Sequence, residues 1–181
     1  MSNLRLINET TPTSVSSFQI NDVFTDDFDI YKITISGVDS STTDTWAMMR
    51  FVNASGSLDS FSNYDYANLQ YRSYAGFSEN RGTNLTELQY VFFDSTDNTS
   101  AGAVIYVFNP TSTSSYTFMI AQSNGFNDAV SGGSDGVKYI GVIKQTASMK
   151  GFGFRRLSGT YDNLKIRTYG LRVNSWWDYY K

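Results

Sequence analysis

The chain has 181 residues, about the length of one domain, and contains neither histidine nor cysteine. Those absences exclude a Ser-His-Asp triad, a cysteine nucleophile, a Cys/His zinc site and a disulfide. The net charge is −3, from 14 Lys plus Arg against 17 Asp plus Glu, so no strongly basic or acidic class applies. Ser, Thr and Asn number 56, Tyr and Phe 13 each, and the strong helix formers are scarce. Such a composition predicts an all-β protein with many polar turns rather than a helical bundle.

Residues 1–15, rich in Thr, Ser and Asn, precede any regular pattern and read as an extended N-terminal arm. From residue 16 onward, period-two alternation dominates. In DIYKITISG, Tyr31, Ile33 and Ile35 share one face and Lys32, Thr34 and Ser36 the other. TWAMMRFVN is apolar on both faces, with Ala47, Met49 and Phe51 opposed to Trp46, Met48 and Val52. YDYANLQYRSY sets Asp65, Ala67, Leu69 and Tyr71 against Tyr66, Asn68, Gln70 and Arg72. LQYVFFD, AVIYVFN, SYTFMIAQ, VKYIGVIKQ, GFGFRRL and NLKIRTYGLRV complete the set. Between them DSSTTD, NASGS, DSTDNTSAG, NPTSTS and SGGSDG are turn chemistry. This spacing predicts a single-domain, antiparallel, jelly-roll-like β-sandwich over 16–173, followed by an aromatic tail at 174–181.

The N-terminus lacks a basic region followed by an apolar run, so no signal peptide is expected, and no apolar stretch is long enough for a membrane helix. Charge is uneven along the chain: residues 1–137 carry 5 basic and 15 acidic side chains, residues 138–172 carry 8 basic and one acidic. Three readings fit that asymmetry: a nucleic-acid site, a solvated basic face, or a basic face that meets an acidic one on a neighbouring copy. The acidic balance overall and the lack of a dense basic run argue against nucleic acid.

Carboxylates are the remaining acid–base material. Asp26, Asp27 and Asp29 cluster, as do Asp94 and Asp97, but all sit in turn-forming runs where Asp bonds its own backbone. No catalytic residue and no cofactor is expected. Calcium is the one ion that DSTDNT or NGFND with SDG would hold, and neither has the spaced ladder of a calcium loop.

Aromatic residues carry more information. Tyr64, Tyr66 and Tyr74 crowd one stretch and are candidates for a glycan platform; the competing reading is alternate aromatics in a sandwich core. The end SWWDYYK supplies Trp176, Trp177, Tyr179 and Tyr180. Four such rings hide roughly 600–1,000 Å² when buried, as much as or more than an ordinary monomer leaves exposed in one patch. The tail is therefore expected to dock on its own sandwich or on another subunit. With Arg155 and Arg156 it forms the candidate assembly interface.

The runs FQINDVFTDDFDIYKITISG, MRFVNASGS, NYDYANLQYRSY, IYVFNPTSTSSYTF, IGVIKQTASMKGF and IRTYGLRV together resemble a β-sandwich module of virion structural proteins in marine tailed bacteriophages. The resemblance spans roughly residues 16–173. It implies a jelly-roll-like sandwich, frequently oligomeric and without catalysis, made in the host cytoplasm and carried on the virion surface. The chain lacks the coiled-coil or tail-attachment regions of long fibre proteins, which favours a capsid decoration (cement) or head-fibre subunit. Its expected partners are copies of itself, in a trimer, and the major capsid protein or other virion proteins. The alternative is a tail-fibre module recognising host surface glycan.

Overall fold

The computed structural model describes residues 3–40, 45–93, 95–96, 101–127 and 133–172, all of them strand, turn or loop. Among these described residues thirteen strands follow in chain order: β1 (Leu4–Thr10), β2 (Ser17–Ile20), β3 (Ile30–Ser40), β4 (Trp46–Asn53), β5 (Tyr64–Arg72), β6 (Gly76–Leu85), β7 (Leu88–Phe93), β8 (Ser95–Thr96), β9 (Ala101–Phe108), β10 (Thr117–Asn127), β11 (Gly133–Ile143), β12 (Met149–Arg156) and β13 (Tyr161–Leu171). A large antiparallel sheet has the order β1-β13-β3-β9-β10-β11-β5-β6, with the short β8 added in parallel beside β3. A small antiparallel sheet, β2-β12-β4-β7, packs over it. The fold is the single-domain β-sandwich that the composition predicted.

Alternation decides which residues meet between the sheets. From the large sheet come Tyr31, Ile33, Ile105, Val107, Met119, Tyr139 and Ile166; from the small one Met49, Phe51, Phe92, Phe152 and Phe154, all buried. Rings interlock at the centre: Phe24 lies 4.8 Å from Tyr31 and 5.9 Å from Phe152, and Phe92 meets Phe154 edge-on at 5.3 Å. Each buried ring contributes about 1.5–3 kcal/mol by removal from water, before ordering costs. Gly151 lets β12 approach the end of β2, since a Cβ there would sit 2.0 Å from the Ile20 carbonyl oxygen.

Two expectations change here. Residues 4–10 are not a free arm: β1 is the edge strand of the large sheet, paired with β13 from Leu4↔Leu171 to Thr10↔Ile166. Alternation there is interrupted by a bulge between Leu6 and Asn8, which hid the strand from a period-two reading. In β7 the strict alternation of LQYVFFD, which would put Leu88, Tyr90 and Phe92 on one face, also fails. Tyr90 adopts φ 59°, so the chain shifts phase and both Val91 and Phe92 are buried.

Candidate functional site

The outer face of the large sheet can be built row by row from the strand register. One row crosses the sheet as Leu4–Leu171–Ile30–Phe108–Phe118–Val142 and ends at Asp65. The next row runs Leu6–Tyr169–Lys32–Tyr106–Ile120–Ile140–Ala67–Arg81. A third is mostly polar: Glu9, Arg167, Thr34, Val104, Gln122, Lys138, Leu69 and Glu79. Polarity therefore grades along the strands, from an apolar end where β13 finishes to a polar end.

An antiparallel sheet with one wet face normally alternates apolar-in and polar-out. Here the middle strands are apolar on both faces. Phe118 is 47% exposed, Ile120 45%, Ile140 59% and Leu69 37%. These four alone leave roughly 350 Å² of apolar surface in water, within the range of the largest patches on ordinary monomers, which are often functional. Two shallow depressions on this face adjoin each other. One of about 650 Å³ is lined by Leu69, Val104, Tyr106, Ile120, Lys138 and Ile140. The other, of about 530 Å³, lies towards Phe108, Phe118 and Val142, and shares Ala67, Ile120 and Ile140 with the first. Lys32 places its ammonium 6.0 Å from the Tyr106 ring centroid, a cation–π contact at the long limit.

The buried carboxylates Glu87 and Asp135, and Asp65 beside the outer face, are occupied structurally. Glu87, nearly buried on the small sheet, accepts from Arg155 Nε at 2.8 Å and from Arg155 Nη2, with Arg50 Nη2 at 3.4 Å. Asp135, also buried, accepts from Gln70 Nε2 at its two oxygens, at 3.1 and 2.9 Å, and from the Tyr74 hydroxyl at 3.3 Å, and forms an ion pair with Arg72 Nε at 3.5 Å. Asp65 accepts from the Asn84 N–H at 2.7 Å and pairs with Lys144 at 2.9 Å. Burial would raise its pKa, but these two partners outweigh burial and hold it below the usual carboxylate value. Asp27 accepts from Thr25 in a local turn, as the turn reading expected. Among the described residues no group of three or more His, Cys, Asp or Glu side chains is placed to hold a metal ion. Among the same residues no helix is long and apolar enough to cross a membrane.

The charge asymmetry along the chain is matched in part inside the fold. The late basic residues Lys144, Arg155, Lys165 and Arg167 pair with the early acids Asp65, Glu87 and Glu9. Among the described residues, four of the eight basic side chains in that stretch are therefore matched by acids within one copy.

Several candidate residues named from the sequence change place. Tyr64 and Tyr66 are core residues, so no exposed glycan platform forms from them: Tyr66 stacks on Tyr139 at 5.5 Å, and Tyr64 bonds the loop after β4. Tyr74 stays 38% exposed but its hydroxyl is committed to Asp135. Arg156 is buried, donating to the Thr160 carbonyl and lying 5.4 Å from the Tyr161 ring, so it braces the fold instead of offering an interface. Arg155 is half-buried in its pair with Glu87. Trp176, Trp177, Tyr179 and Tyr180 lie outside the described residues, as do Asp94 and Asp97. The sequence pattern did not single out the outer-face residues Tyr106, Phe118, Ile120 and Ile140. Their signal was present in AVIYVFN, TFMIA and VKYIGVI, three runs with apolar residues in both phases.

No protein-family model matches the chain, and no curated protein does. Among solved structures the chain is similar to the marine PL-14 alginate lyase from Aplysia kurodai, at a TM-score of 0.34 and 6% identity over 92% of this chain and 82% of that one. A superposition that loose carries no argument about activity.

Proposed function

We propose that this protein is a non-enzymatic surface component of a bacteriophage particle, a capsid decoration (cement) or head-fibre subunit, docking through the outer face of its large sheet. The observation that carries this reading is the apolar row from Leu171 to Val142, exposed at Phe118 and continued by Ile120 and Ile140. A face of that kind gains by being covered with another apolar surface. The sequence runs resembling virion modules supply the class of partner, the major capsid protein or a neighbouring virion protein. Many copies on a symmetric shell convert weak single contacts into firm retention. The buried carboxylates support a non-catalytic role, since Glu87 and Asp135 are each held by cations or amides.

The test is re-binding. Purified protein mixed with particles that lack it should co-sediment, and a Phe118→Glu, Ile140→Glu double variant should stay in the supernatant while retaining its fold. Equal binding by the variant would overturn the outer face as the docking surface.

A second reading has its own observation. The polar end of the larger depression brings Tyr106, Gln122 and Lys138 together, a combination suited to host surface glycan. A glycan array separates the two: saturable binding abolished by Tyr106→Ala favours a receptor-binding module, and no binding favours decoration.

A further inference from the structure

The large sheet ends at β6, whose second ladder edge meets no other strand among the described residues. Free edges are usually blunted by bulges, by shortness or by charge. The other edges follow that rule: β1 carries a bulge at its middle, β2 has four residues, and β7 changes phase at Tyr90. β6 has its irregularity at one end, between Gly82 and Leu85, where Asn84 adopts φ 55°; before it, the seven residues Gly76–Gly82 pair with β5 unbroken, from Gly76↔Arg72 to Gly82↔Tyr66. Its outer face shows Phe77, Glu79 and Arg81, all exposed, Phe77 by 78%. Neither Glu79 nor Arg81 forms a salt bridge among the described residues.

We propose that β6 is a self-pairing edge: two copies of this chain join antiparallel along β6 about a two-fold axis at Asn80, making one continuous sheet. The charges select that register. Centred on Asn80, Glu79 stands opposite the partner's Arg81 and Arg81 opposite the partner's Glu79, so the contact contains two cross-strand ion pairs on the outer face. Phe77 stands opposite the partner's Thr83. Sliding by two residues in one direction sets Glu79 against its own copy; sliding the other way sets Arg81 against its own copy. Both keep the outer faces together and both oppose like charges, which is unfavourable. Opposite charges two residues apart on an edge thus admit one symmetric register and reject its neighbours. In β1, Arg5 and Glu9 are also opposite charges on an edge, but Glu9 is already bonded to Arg167 at 2.6 Å and the bulge breaks the ladder.

This contact is isologous and pairs chains in twos, unlike a trimer. It stands independently of the virion reading. Only about seven residues a side join, so the dimer is expected to be modest, with a dissociation constant on the order of micromolar.

Sedimentation velocity from about 1 to about 500 µM tests it. The full chain should move from monomer to dimer over that range. Arg81→Glu and Glu79→Arg should each weaken the dimer by roughly tenfold or more, because each turns both ion pairs into like-charge contacts. The double variant Glu79→Arg, Arg81→Glu restores opposite charges in the same register and should restore the dimer. Circular dichroism controls for folding, which both exposed sites should leave intact. A chain monomeric at the highest concentration overturns the proposal. So does an oligomer indifferent to Arg81→Glu, or a double variant no tighter than the singles.

Discussion

Phe108 and Phe118 lie directly opposite one another across the β9–β10 ladder, on the side of the large sheet that faces solvent. One residue away, Val107 and Met119 form the matching pair on the core side, where both are buried. The two strands are thus apolar on both surfaces. Burial between the sheets accounts for Val107 and Met119. Nothing in the sandwich itself requires Phe108 and Phe118 to be phenylalanine.

Phe118→Glu is therefore expected to separate function from stability. Half of this side chain is already in water, so Tm measured by calorimetry should move by no more than about 4 °C, about 1 kcal/mol or less. Docking to particles should be lost. A drop in Tm above about 10 °C would make the ring a structural element instead.

Phe152 behaves in the opposite way. It is fully buried on β12, beside Phe24 at 5.9 Å and Phe154 at 5.6 Å. Phe152→Ala should cost about 3–5 kcal/mol in urea unfolding, from lost transfer energy and the cavity left among rigid rings. A cost below about 1 kcal/mol would mean that the central packing is looser than these distances imply.

Glu87 links two strands of the small sheet, taking Arg50 from β4 and Arg155 from β12. Glu87→Gln keeps the shape but leaves two guanidinium groups side by side without an anion. Both cations are partly exposed, so solvent reduces the loss to about 2 kcal/mol, below the figure for a fully buried pair. Arg50→Met in the Glu87→Gln background should recover part of it, because one of the opposed cations is gone. Chemical denaturation of the four proteins in this cycle measures the coupling.

Tyr64 makes the stability curve asymmetric in alkali. Its hydroxyl accepts from the Phe51 N–H at 3.1 Å and donates to the Asp59 carbonyl at 3.2 Å. Burial pushes the phenol well above its ordinary value, and the nearby Asp59 adds to that, outweighing the Phe51 N–H. The neutral form is thus favoured in the fold. Its contribution is complete below the unfolded pKa of about 10 and is lost as pH rises from there towards the folded value. Tyr64→Phe should cost about 1–2 kcal/mol at pH 7, since the Phe51 N–H loses its acceptor, and should flatten the fall in stability above pH ~10. Guanidinium unfolding at pH 7, 9 and 10.5 checks both parts; a parallel offset at every pH would contradict the titration argument.

Much of the architecture was legible because alternation and turn residues work locally. DIYKITISG formed the strand its pattern implied, with Tyr31, Ile33 and Ile35 inward. Alternation alone does not choose the inward set, however. In β5 the polar set Asn68 and Gln70 faces the interior while Ala67 and Leu69 face out. The reason is long-range: Gln70 is needed by Asp135, 65 residues away, and Asn68 reaches the Tyr90 carbonyl at 3.4 Å. The outer face was illegible for the same reason. Its row joins residues from β1, β13, β3, β9, β10 and β11, and only the strand order makes them neighbours. Of the late basic residues, Lys144, Arg155, Lys165 and Arg167 likewise read as a surface, and only the fold shows them paired with Asp65, Glu87 and Glu9.

Co-sedimentation of purified protein with particles lacking it, run side by side for the natural chain and the Phe118→Glu, Ile140→Glu variant, tests the docking surface most directly. The natural chain should pellet saturably, at a fixed number of copies per particle, and the folded variant should remain soluble. Matching pellets from both proteins, or no pellet from either, would contradict the assignment.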